Sequence, residues 1–180
     1  QDTEGDIWIG HGLKGVFRLK LNNKLDSAIQ VKFYNSSDGL PSDFGTTLFA
    51  YIDEVFFATE DGIYSFDKKL EQFVPNDELN EALGKKDFRK LQMDEDGNIW
   101  YFTSLSAGVY RLQEDGNDLD ITLPFRQLYG SFIGGFPFVY PYNDKNVFFG
   151  AENGFVHYDP SYFKDYKKNL KTYIRQVNIG

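Results

Sequence analysis

A short pattern that occurs four times along the 180 residues is the feature that most constrains the fold. In each copy, a run of hydrophobic and aromatic residues is followed by a short polar connection and then by a second hydrophobic run. The clearest copy is DEDGNIWYFTSLSAGVYRL, residues 94–112. The second run begins with a glycine in every copy, at intervals of 47, 46 and 46 residues: Gly15, Gly62, Gly108 and Gly154. An interval this constant predicts one structural unit repeated along the chain.

Each copy predicts a β-hairpin. In the clearest one, the aromatic and β-branched run Ile99–Thr103 favours a strand, residues 104–108 form the connection, and residues 109–112 form the second strand. The sequence DGN at residues 96–98, just before the first strand, is typical of a tight turn. We expect the repeated glycine to adopt a positive φ where the connection ends, because any other residue would cost about 1 kcal/mol or more there.

Further strands flank the hairpins. Hydrophobic segments that precede or follow them lie at residues 29–34, 44–52, 70–74, 88–93, 119–123 and 136–142. One unit is therefore four short strands, and no helical periodicity spans a repeat, although a helical turn is expected in the connection at Asp77–Leu83. Four antiparallel strands in each period of about 40–50 residues are the signature of a β-propeller blade. The predicted fold class is all-β, with about four blades.

The four blades are not equally complete. They are predicted at residues 1–36, 37–76, 77–124 and 125–180, and the first lacks its innermost strand because its hairpin begins so close to residue 1. Propellers have about 4–8 blades, so we expect a fragment of a larger ring rather than a complete four-bladed one. An arc of blades exposes an apolar sheet face at each end, and we therefore expect the chain to pair with a second copy as a homodimer.

Composition and charge exclude several classes of partner. The net charge of −8 opposes binding to the phosphates of nucleic acids and to anionic membrane surfaces. No apolar run approaches the roughly 20 residues of a membrane-spanning helix. The absence of cysteine excludes disulfides and thiol chemistry. A hydrophobic content of 41% is that of a globular protein, and an aromatic content of 18% favours strands.

Few residues suggest catalysis or metal binding. The two histidines, His11 and His157, lie at non-equivalent positions of the repeat. A metal pair and the catalytic histidine of a lyase-type propeller are alternatives to two exposed polar residues. The acidic runs at residues 94–98 and 114–118 resemble calcium loops, but the distal glutamate of an EF-hand is absent and a simple turn explains the first run. We predict no catalytic residue, no metal site and no cofactor.

The segment LYGSFIGGFP, residues 128–137, is the strongest candidate for a ligand site. It links the third and fourth blades and carries Tyr129, Phe132 and Phe136 among three glycines. Propeller loops around the central channel commonly hold ligands, and aromatic rings there suit stacking on sugars. We predict that these three rings and His11, in the loop of the first hairpin, bind a ligand. The alternative is that the rings cap the core or pack between blades.

Several stretches resemble a known family of repeats. GDIWIGHGLKGVFRL and residues 94–112 are similar to the two-component regulator propeller repeat, D-x-x-G-x-I-W-I-G-T-x-x-G-G-L-x-R-Y. YNSSDGLPSDF, residues 34–44, resembles the blade-to-blade linker of that family. The end of the chain, ENGFVHYDPSYF and YIRQVNI, resembles the exit into the Y_Y_Y immunoglobulin-like domain that follows these propellers, so residues 171–180 are expected to begin that domain.

The resemblance implies a periplasmic sensor region of a hybrid histidine kinase anchored in the inner membrane, built from seven-bladed propellers. It implies that an oligosaccharide binds and that the signal passes through the remaining blades and the Y_Y_Y domain to the kinase. A propeller enzyme of the lyase or glycosidase type and a protein-binding scaffold are the alternatives. The family tryptophan is kept at Trp8 and Trp100 but replaced by Phe56 and Phe148, so no ligand residue is carried over from the family.

Overall fold

The described residues form four antiparallel β-sheets that follow one another along the chain, which confirms the predicted all-β fold. In the computed structural model, these residues are 1–51, 53–111, 113, 118–133, 136–162 and 164–165. Within every sheet, each strand pairs with the strand next to it in sequence. This simple up-and-down order is that of propeller blades, and we name the sheets blades A to D.

The strands are short, as the alternation of turn residues and hydrophobic runs predicts. Blade A consists of β1 (Ile7–His11), β2 (Gly15–Leu21) and β3 (Ala28–Tyr34). Blade B consists of β4 (Thr47–Tyr51), β5 (Glu54–Thr59), β6 (Gly62–Asp67) and β7 (Gln72–Pro75). Blade C consists of β8 (Phe88–Met93), β9 (Ile99–Thr103), β10 (Ala107–Arg111) and β11 (Leu119–Ile121). Blade D consists of β12 (Val139–Asn143), β13 (Asn146–Ala151) and β14 (Gly154–Tyr158).

Three short helical segments connect the blades. The α-helix α1 (Asp77–Leu83) has the bounds expected from the sequence, and Asn76 caps it by accepting the Leu79 N–H at 2.8 Å. Two 3-10 helices, Ser36–Asp38 and Leu123–Leu128, were not expected. The second one begins at Leu123 with Thr122 as its N-cap, so the strand predicted at residues 119–123 ends at Ile121. The expected start of a further domain at residues 171–180 lies outside the described residues.

The hydrophobic core is divided into three clusters that lie between neighbouring blades. Between blades A and B, the ring of Trp8 packs edge-on against Phe57, with ring centroids 5.1 Å apart. Between blades B and C, the cluster includes Phe56 and Tyr101. Between blades C and D, the rings of Trp100 and Phe149 lie 5.9 Å apart, so Trp100 packs between these two blades.

The repeated glycines confirm the predicted positive φ at three positions and contradict it at the fourth. The φ angles are +105° at Gly15, +112° at Gly62 and +123° at Gly154. Gly108 instead lies inside β10, opposite Tyr101, and is not among the residues with positive φ. A Cβ at Gly108 would lie 2.5 Å from the Tyr101 hydroxyl oxygen, so the cross-strand ring explains this glycine.

The register of blade C therefore differs from the one predicted. Its hairpin connection ends at Ser106, whose C=O accepts the Thr103 N–H at 2.8 Å, and β10 starts at Ala107 rather than at residue 109. Ala107 pairs with Phe102, as Val16 pairs with Gly10 in blade A. Gly108 lies two residues after the position that the other three glycines occupy in their hairpins. Packing against the Tyr101 ring, and not a turn, therefore explains the glycine at this point of the sequence.

Candidate functional site

A cavity of about 670 Å³ lies at one end of the blades, where loops of blades A, B and C meet the connection from blade C to blade D. Blade A contributes Gly12 of its first hairpin, and blade B contributes residues at the start of β4. Blade C contributes Arg89 and the β9–β10 loop, and the connection from blade C to blade D closes the remaining side. Because adjacent strands are antiparallel, these hairpin loops and this connection fall at the same end of their sheets. We call this space the central cavity.

Hydroxyl groups and aromatic rings line the central cavity together. The hydroxyl side chains are Thr46, Thr47, Thr103, Ser104 and Ser106, and the aromatic ones are Phe102, Tyr129 and Phe132. One cation, the Arg89 guanidinium, lies at the edge. This combination of short donors and acceptors with apolar rings is what a ligand with both hydroxyl groups and C–H faces requires.

One of the hydroxyls is buried without a partner. Thr46 is 6% exposed, and its Oγ1 makes no hydrogen bond with the described residues. A buried hydroxyl that lacks a partner costs about 1–3 kcal/mol, and such groups usually bind water or a ligand. The neighbouring Thr47 hydroxyl differs, because it donates to the Arg89 C=O at 3.2 Å and so links blade B to blade C.

The charge of Arg89 is already balanced. Its Nη2 donates to Asp87 Oδ2 at 3.1 Å, and its Nε lies 2.9 Å from Asp87 Oδ1. A guanidinium held by a carboxylate in this two-point manner still has free N–H groups but little net charge. The cavity wall is therefore better suited to neutral hydrogen-bonding groups than to an anion.

The structure brings two of the four predicted ligand residues to the central cavity. Tyr129 is 60% exposed on the wall of the cavity. Phe132 also lines it, but its ring packs on Phe102 at 4.9 Å and on Phe149 at 6.1 Å, so it caps the core as in the alternative interpretation. Tyr129 is thus the aromatic side chain best placed to meet a ligand.

The other two predicted residues lie elsewhere. Phe136 is 80% exposed and does not line the cavity. His11 is exposed at the end of β1, beside the first hairpin loop, where its Nδ1 accepts the Leu13 N–H at 3.2 Å. His157 stacks on Phe148 in blade D and its Nε2 lies 2.9 Å from Asn146 Oδ1. The two histidines belong to different blades and to different structural settings.

Sequence reasoning missed Thr46 and Arg89. Each is one ordinary residue near the beginning of an innermost strand, in blades B and C respectively. Both residues stand at a similar point of the repeat, near the start of the strand that follows a blade-to-blade linker. This position in the repeat could have identified them from the sequence. That place faces the channel in any propeller, whichever residue type occupies it.

The acidic run at residues 94–98 is a turn, in agreement with the preferred interpretation. Asp94 Oδ1 accepts the N–H groups of Asp96 at 3.1 Å and of Asn98 at 2.8 Å. Asp94 Oδ2 accepts the indole N–H of Trp100 at 2.8 Å. Since these donors occupy both carboxylate oxygens, the loop fixes a tryptophan rather than presenting free oxygens to a cation. The second acidic run lies mostly outside the described residues.

A tyrosine, an aspartate and a lysine form a further polar cluster between blades B and C. The Tyr101 hydroxyl donates to Asp120 Oδ1 at 2.5 Å, and Lys86 Nζ donates to Asp120 Oδ2 at 2.6 Å. Burial and the hydrogen bond to Asp120 raise the pKa of Tyr101 well above its ordinary value. The raised pKa keeps this hydroxyl protonated, so it acts as a hydrogen-bond donor to Asp120.

In the described part of the chain, no group of three or more histidine, aspartate or glutamate side chains is arranged to hold a metal ion. None of the helices in that part has the length and apolar character needed to cross a membrane.

Comparison with protein-family models and with curated protein sequences finds no match. Solved structures do match. The extracellular domain of BT4673, a one-component system of B. thetaiotaomicron, superposes with a TM-score of 0.55 at 20% identity over 89% of this chain. The extracellular domain of BT3049, a hybrid two-component system of the same organism, does so with a TM-score of 0.56 at 21% identity, again over 89%.

A third match, to virginiamycin B lyase from Staphylococcus aureus, covers 89% of this chain and 54% of that chain at 19% identity. Its TM-score of 0.43 is too low to carry an argument about function. This chain spans 21% of the length of each of the two B. thetaiotaomicron domains. The blades described above therefore share their fold with part of the extracellular domains of one- and two-component signalling systems.

Proposed function

We propose that this chain is part of the ligand-binding, extracellular region of a signalling protein, and that its ligand is an oligosaccharide held in the central cavity. The ligand is bound and released unchanged. The observation that carries the proposal is the wall of this cavity, where an exposed tyrosine ring and several hydroxyl side chains line one space of about 670 Å³. Thr46 is one of these lining residues, and its buried Oγ1 lacks a partner among the described residues.

Sugars match this wall in two ways. The C–H face of a pyranose ring stacks on an aromatic ring, and Tyr129 offers such a ring with 60% of its surface exposed. The sugar hydroxyls both donate and accept hydrogen bonds, so they pair with threonine and serine hydroxyls and supply the partner that Thr46 lacks. A volume of this size falls within the range of about 300–1,000 Å³ that is usual for small-ligand sites.

The comparisons support the signalling part of the proposal. Both matches with a TM-score above 0.5 are extracellular domains of one- or two-component systems. The proposal includes a location outside the cytoplasm, in the periplasm of a Gram-negative cell, by analogy with these extracellular domains. Ligand binding shifts the geometry of the blades, and that shift is passed through the following domain to a histidine kinase.

Isothermal titration calorimetry with a panel of neutral and acidic oligosaccharides tests the proposal. We expect neutral oligosaccharides to bind, since Asp87 already balances Arg89. Tyr129→Ala should weaken binding about tenfold or more through the loss of ring stacking. Tyr162→Ala is the matched control, because Tyr162 is also exposed but lies beyond β14, away from the cavity.

Thr46→Val gives a second, sharper readout. This nearly isosteric change removes the unpartnered hydroxyl, so the folded chain should be as stable as before or slightly more stable while binding weakens. Equal loss of binding in Tyr162→Ala would contradict the assignment of the cavity. Chromatographic evidence that the chain cleaves an oligosaccharide, or a complete lack of binding across the panel, would contradict the proposed function.

A further inference from the structure

A second cavity lies between blades C and D, at the opposite end of the sheets from the central cavity. Its volume is about 370 Å³, and it is lined by the β8–β9 turn, the end of β10, the β12–β13 turn and residues 160–161 after β14. Because adjacent strands are antiparallel, these segments meet at the end of the sheets that lies away from the β9–β10 loop of the central cavity. We call this space the turn cavity.

Arg111, at the end of β10, lines the turn cavity without a partner for its charge. The residue is partly buried, and its Nε is buried without a hydrogen bond. None of the ion pairs among the described residues involves its guanidinium. Removing a charge from water without pairing it costs free energy, and buried charges in proteins are normally paired. The guanidinium is therefore available to an acceptor from outside the chain.

Blade A shows how the same arginine of the repeat is satisfied elsewhere. The sequences GVFRL and GVYRL each place an arginine three residues after the repeated glycine, Arg18 in blade A and Arg111 in blade C. Arg18 Nε donates to Asp6 Oδ2 at 2.7 Å, and its Nη2 donates to Glu4 Oε2 at 3.2 Å. Two carboxylates thus balance the first arginine, whereas the second one has none among the described residues.

An asparagine in blade C accounts for part of this difference. Two residues before the tryptophan of the repeat stand Asp6 in blade A and Asn98 in blade C. The Asn98 amide is uncharged, and its Nδ2 donates to Asp94 Oδ2 at 3.0 Å. Asp94 also accepts the indole N–H of Trp100 and two backbone N–H groups, so its oxygens are already occupied. The carboxylate that holds the arginine in blade A has no counterpart in blade C.

The charges of the turn cavity define the ligand that suits it. Its described lining carries two cations, Arg111 and Lys145, and three anions, Asp94, Asp96 and Asp144. The planar fork of a guanidinium matches the two oxygens of a carboxylate. The excess of aspartates disfavours an anion with more than one charge, and it favours a ligand whose own hydrogen-bond donors meet those carboxylates. A volume of about 370 Å³ lies at the small end of the usual range for ligand sites.

We propose that the turn cavity binds a small monocarboxylate that also carries hydrogen-bond donors. Arg111 holds the carboxylate, and Asp96 and Asp144 accept from the donors. Two kinds of molecule share this chemistry: sugar acids, whose donors are hydroxyl groups, and free α-amino acids, whose donor is an ammonium group. The turn cavity is separate from the central cavity, so this inference does not depend on the oligosaccharide proposed there.

Isothermal titration calorimetry of residues 1–180 tests the inference with four probes. Glucuronate represents the sugar acids and free L-alanine the amino acids, while glucose and inorganic phosphate provide the neutral and the multiply charged comparison. We expect glucuronate or L-alanine to bind, and glucose and phosphate to bind about tenfold more weakly or less. The carboxylate that binds identifies the class. Binding of neither carboxylate, or equal binding of phosphate, would overturn the proposal.

A matched pair of arginine variants separates binding from structure. Arg111→Gln should weaken binding of the carboxylate about tenfold or more, while the midpoint of urea unfolding stays the same or rises because an unpaired charge is removed. Arg18→Gln makes the same change at the paired arginine of blade A, so it should lower that midpoint and leave binding unchanged. Tyr129→Ala, in the central cavity, should also leave carboxylate binding unchanged.

The opposite pattern would contradict the assignment. If Arg111→Gln lowers stability and leaves binding as it was, the guanidinium has a structural role and the ligand lies elsewhere. If Tyr129→Ala abolishes binding of the carboxylate, the probe occupies the central cavity and the proposal for the turn cavity is wrong.

Discussion

Both tryptophans of the chain are held by an aspartate six residues earlier in the sequence. The indole N–H of Trp8 donates to Asp2 Oδ2 at 2.9 Å, as that of Trp100 does to Asp94. In each case the aspartate also accepts backbone N–H groups of the intervening turn. The turn before the hairpin and the ring between the blades are thereby positioned by a single carboxylate.

The two blades without a tryptophan also lack this aspartate. Six residues before Phe56 and Phe148 stand Ala50 and Tyr142, and the turns between the inner strands are shorter. A phenylalanine has no N–H to satisfy, so its blade has no need of the carboxylate. In these blades, phenylalanine in place of tryptophan therefore goes together with a shorter turn.

Replacing Asp94 should destabilise the protein, because this one carboxylate holds both the turn and the Trp100 indole. Asp94→Ala removes the acceptor of the indole N–H of Trp100, a residue that is 2% exposed. We expect the free energy of unfolding to fall by about 1–3 kcal/mol in urea titrations. Asp96→Ala is the control, since Asp96 contributes to the turn through its backbone N–H, and its effect should be within about 0.5 kcal/mol. Equal effects of the two variants would refute this role.

Asp2 should make stability depend on pH in the acidic range. Partial burial raises the pKa of the Asp2 carboxyl, but the hydrogen bonds from Trp8 and from two backbone N–H groups outweigh it, and the pKa lies below its ordinary value. The unfolded chain then binds more protons in this range, so stability decreases as the pH falls. Comparing the wild type with Asp2→Asn in urea titrations should show an advantage at neutral pH that declines as the pH falls below about 4. An advantage that is the same at every pH would be inconsistent with this account, and Asp144→Asn controls for the loss of one surface charge.

At the scale of elements, the link between α1 and β6 shows how a connection becomes part of a blade. Asn80 of α1 is 6% exposed, accepts the Ile63 N–H at 2.8 Å and donates to the Ile63 C=O at 2.9 Å. A Cβ on Gly62 would lie 2.5 Å from Asn80 Oδ1. The glycine at this hairpin is thus required both by its positive φ and by the approach of the helix.

Removing the Asn80 side chain should loosen this link. Asn80→Ala leaves the Ile63 N–H without its acceptor in a buried place, and we expect a loss of about 1–3 kcal/mol in the free energy of unfolding. Glu81→Ala, one residue further along the same helix but exposed, provides the control for helix propensity. Amide hydrogen exchange should show faster exchange at Ile63 in the first variant alone. Unchanged protection of Ile63 would mean that the helix does not hold this strand.

At the scale of the whole molecule, stability resides in the junctions between blades. Each blade is a single sheet with no core of its own, and the buried clusters lie where two sheets face each other. Neighbouring blades should therefore unfold together, as expected of repeat architectures whose units contact their neighbours.

A substitution at the junction between two blades should destabilise both of them. Phe149→Ala empties a position that is 1% exposed and contacts Trp100 and Phe125, so we expect a loss of about 3–5 kcal/mol. Hydrogen exchange should increase in β9 of blade C as well as in β13 of blade D. Leu70→Ala, at an exposed turn, should have little effect. Increased exchange confined to blade D would argue against coupling between the blades.

Part of the candidate site could be predicted from the sequence, because some of its residues belong to one local segment whereas others come from different blades. Tyr129 and Phe132 stand in a glycine-rich, aromatic linker whose composition departs from the repeat, and such a segment can be recognised in one sequence. Thr46 and Arg89 belong to different blades and have no local signal. Their meeting at one cavity depends on how the blades are arranged about the channel, and that arrangement is a property of the packed sheets.

By itself, the sequence determined the repeat, the class of the strands and the number of blades, because alternation of side chains and turn residues acts over a few residues. The tertiary structure decided the register of blade C, where the Tyr101 ring and not a positive φ requires Gly108. It also decided which side of each sheet is covered: Val16 and Phe155 occupy equivalent positions, yet one is buried and the other is exposed. Burial of that kind depends on whether another sheet faces the residue, and no pattern within a single repeat can specify it.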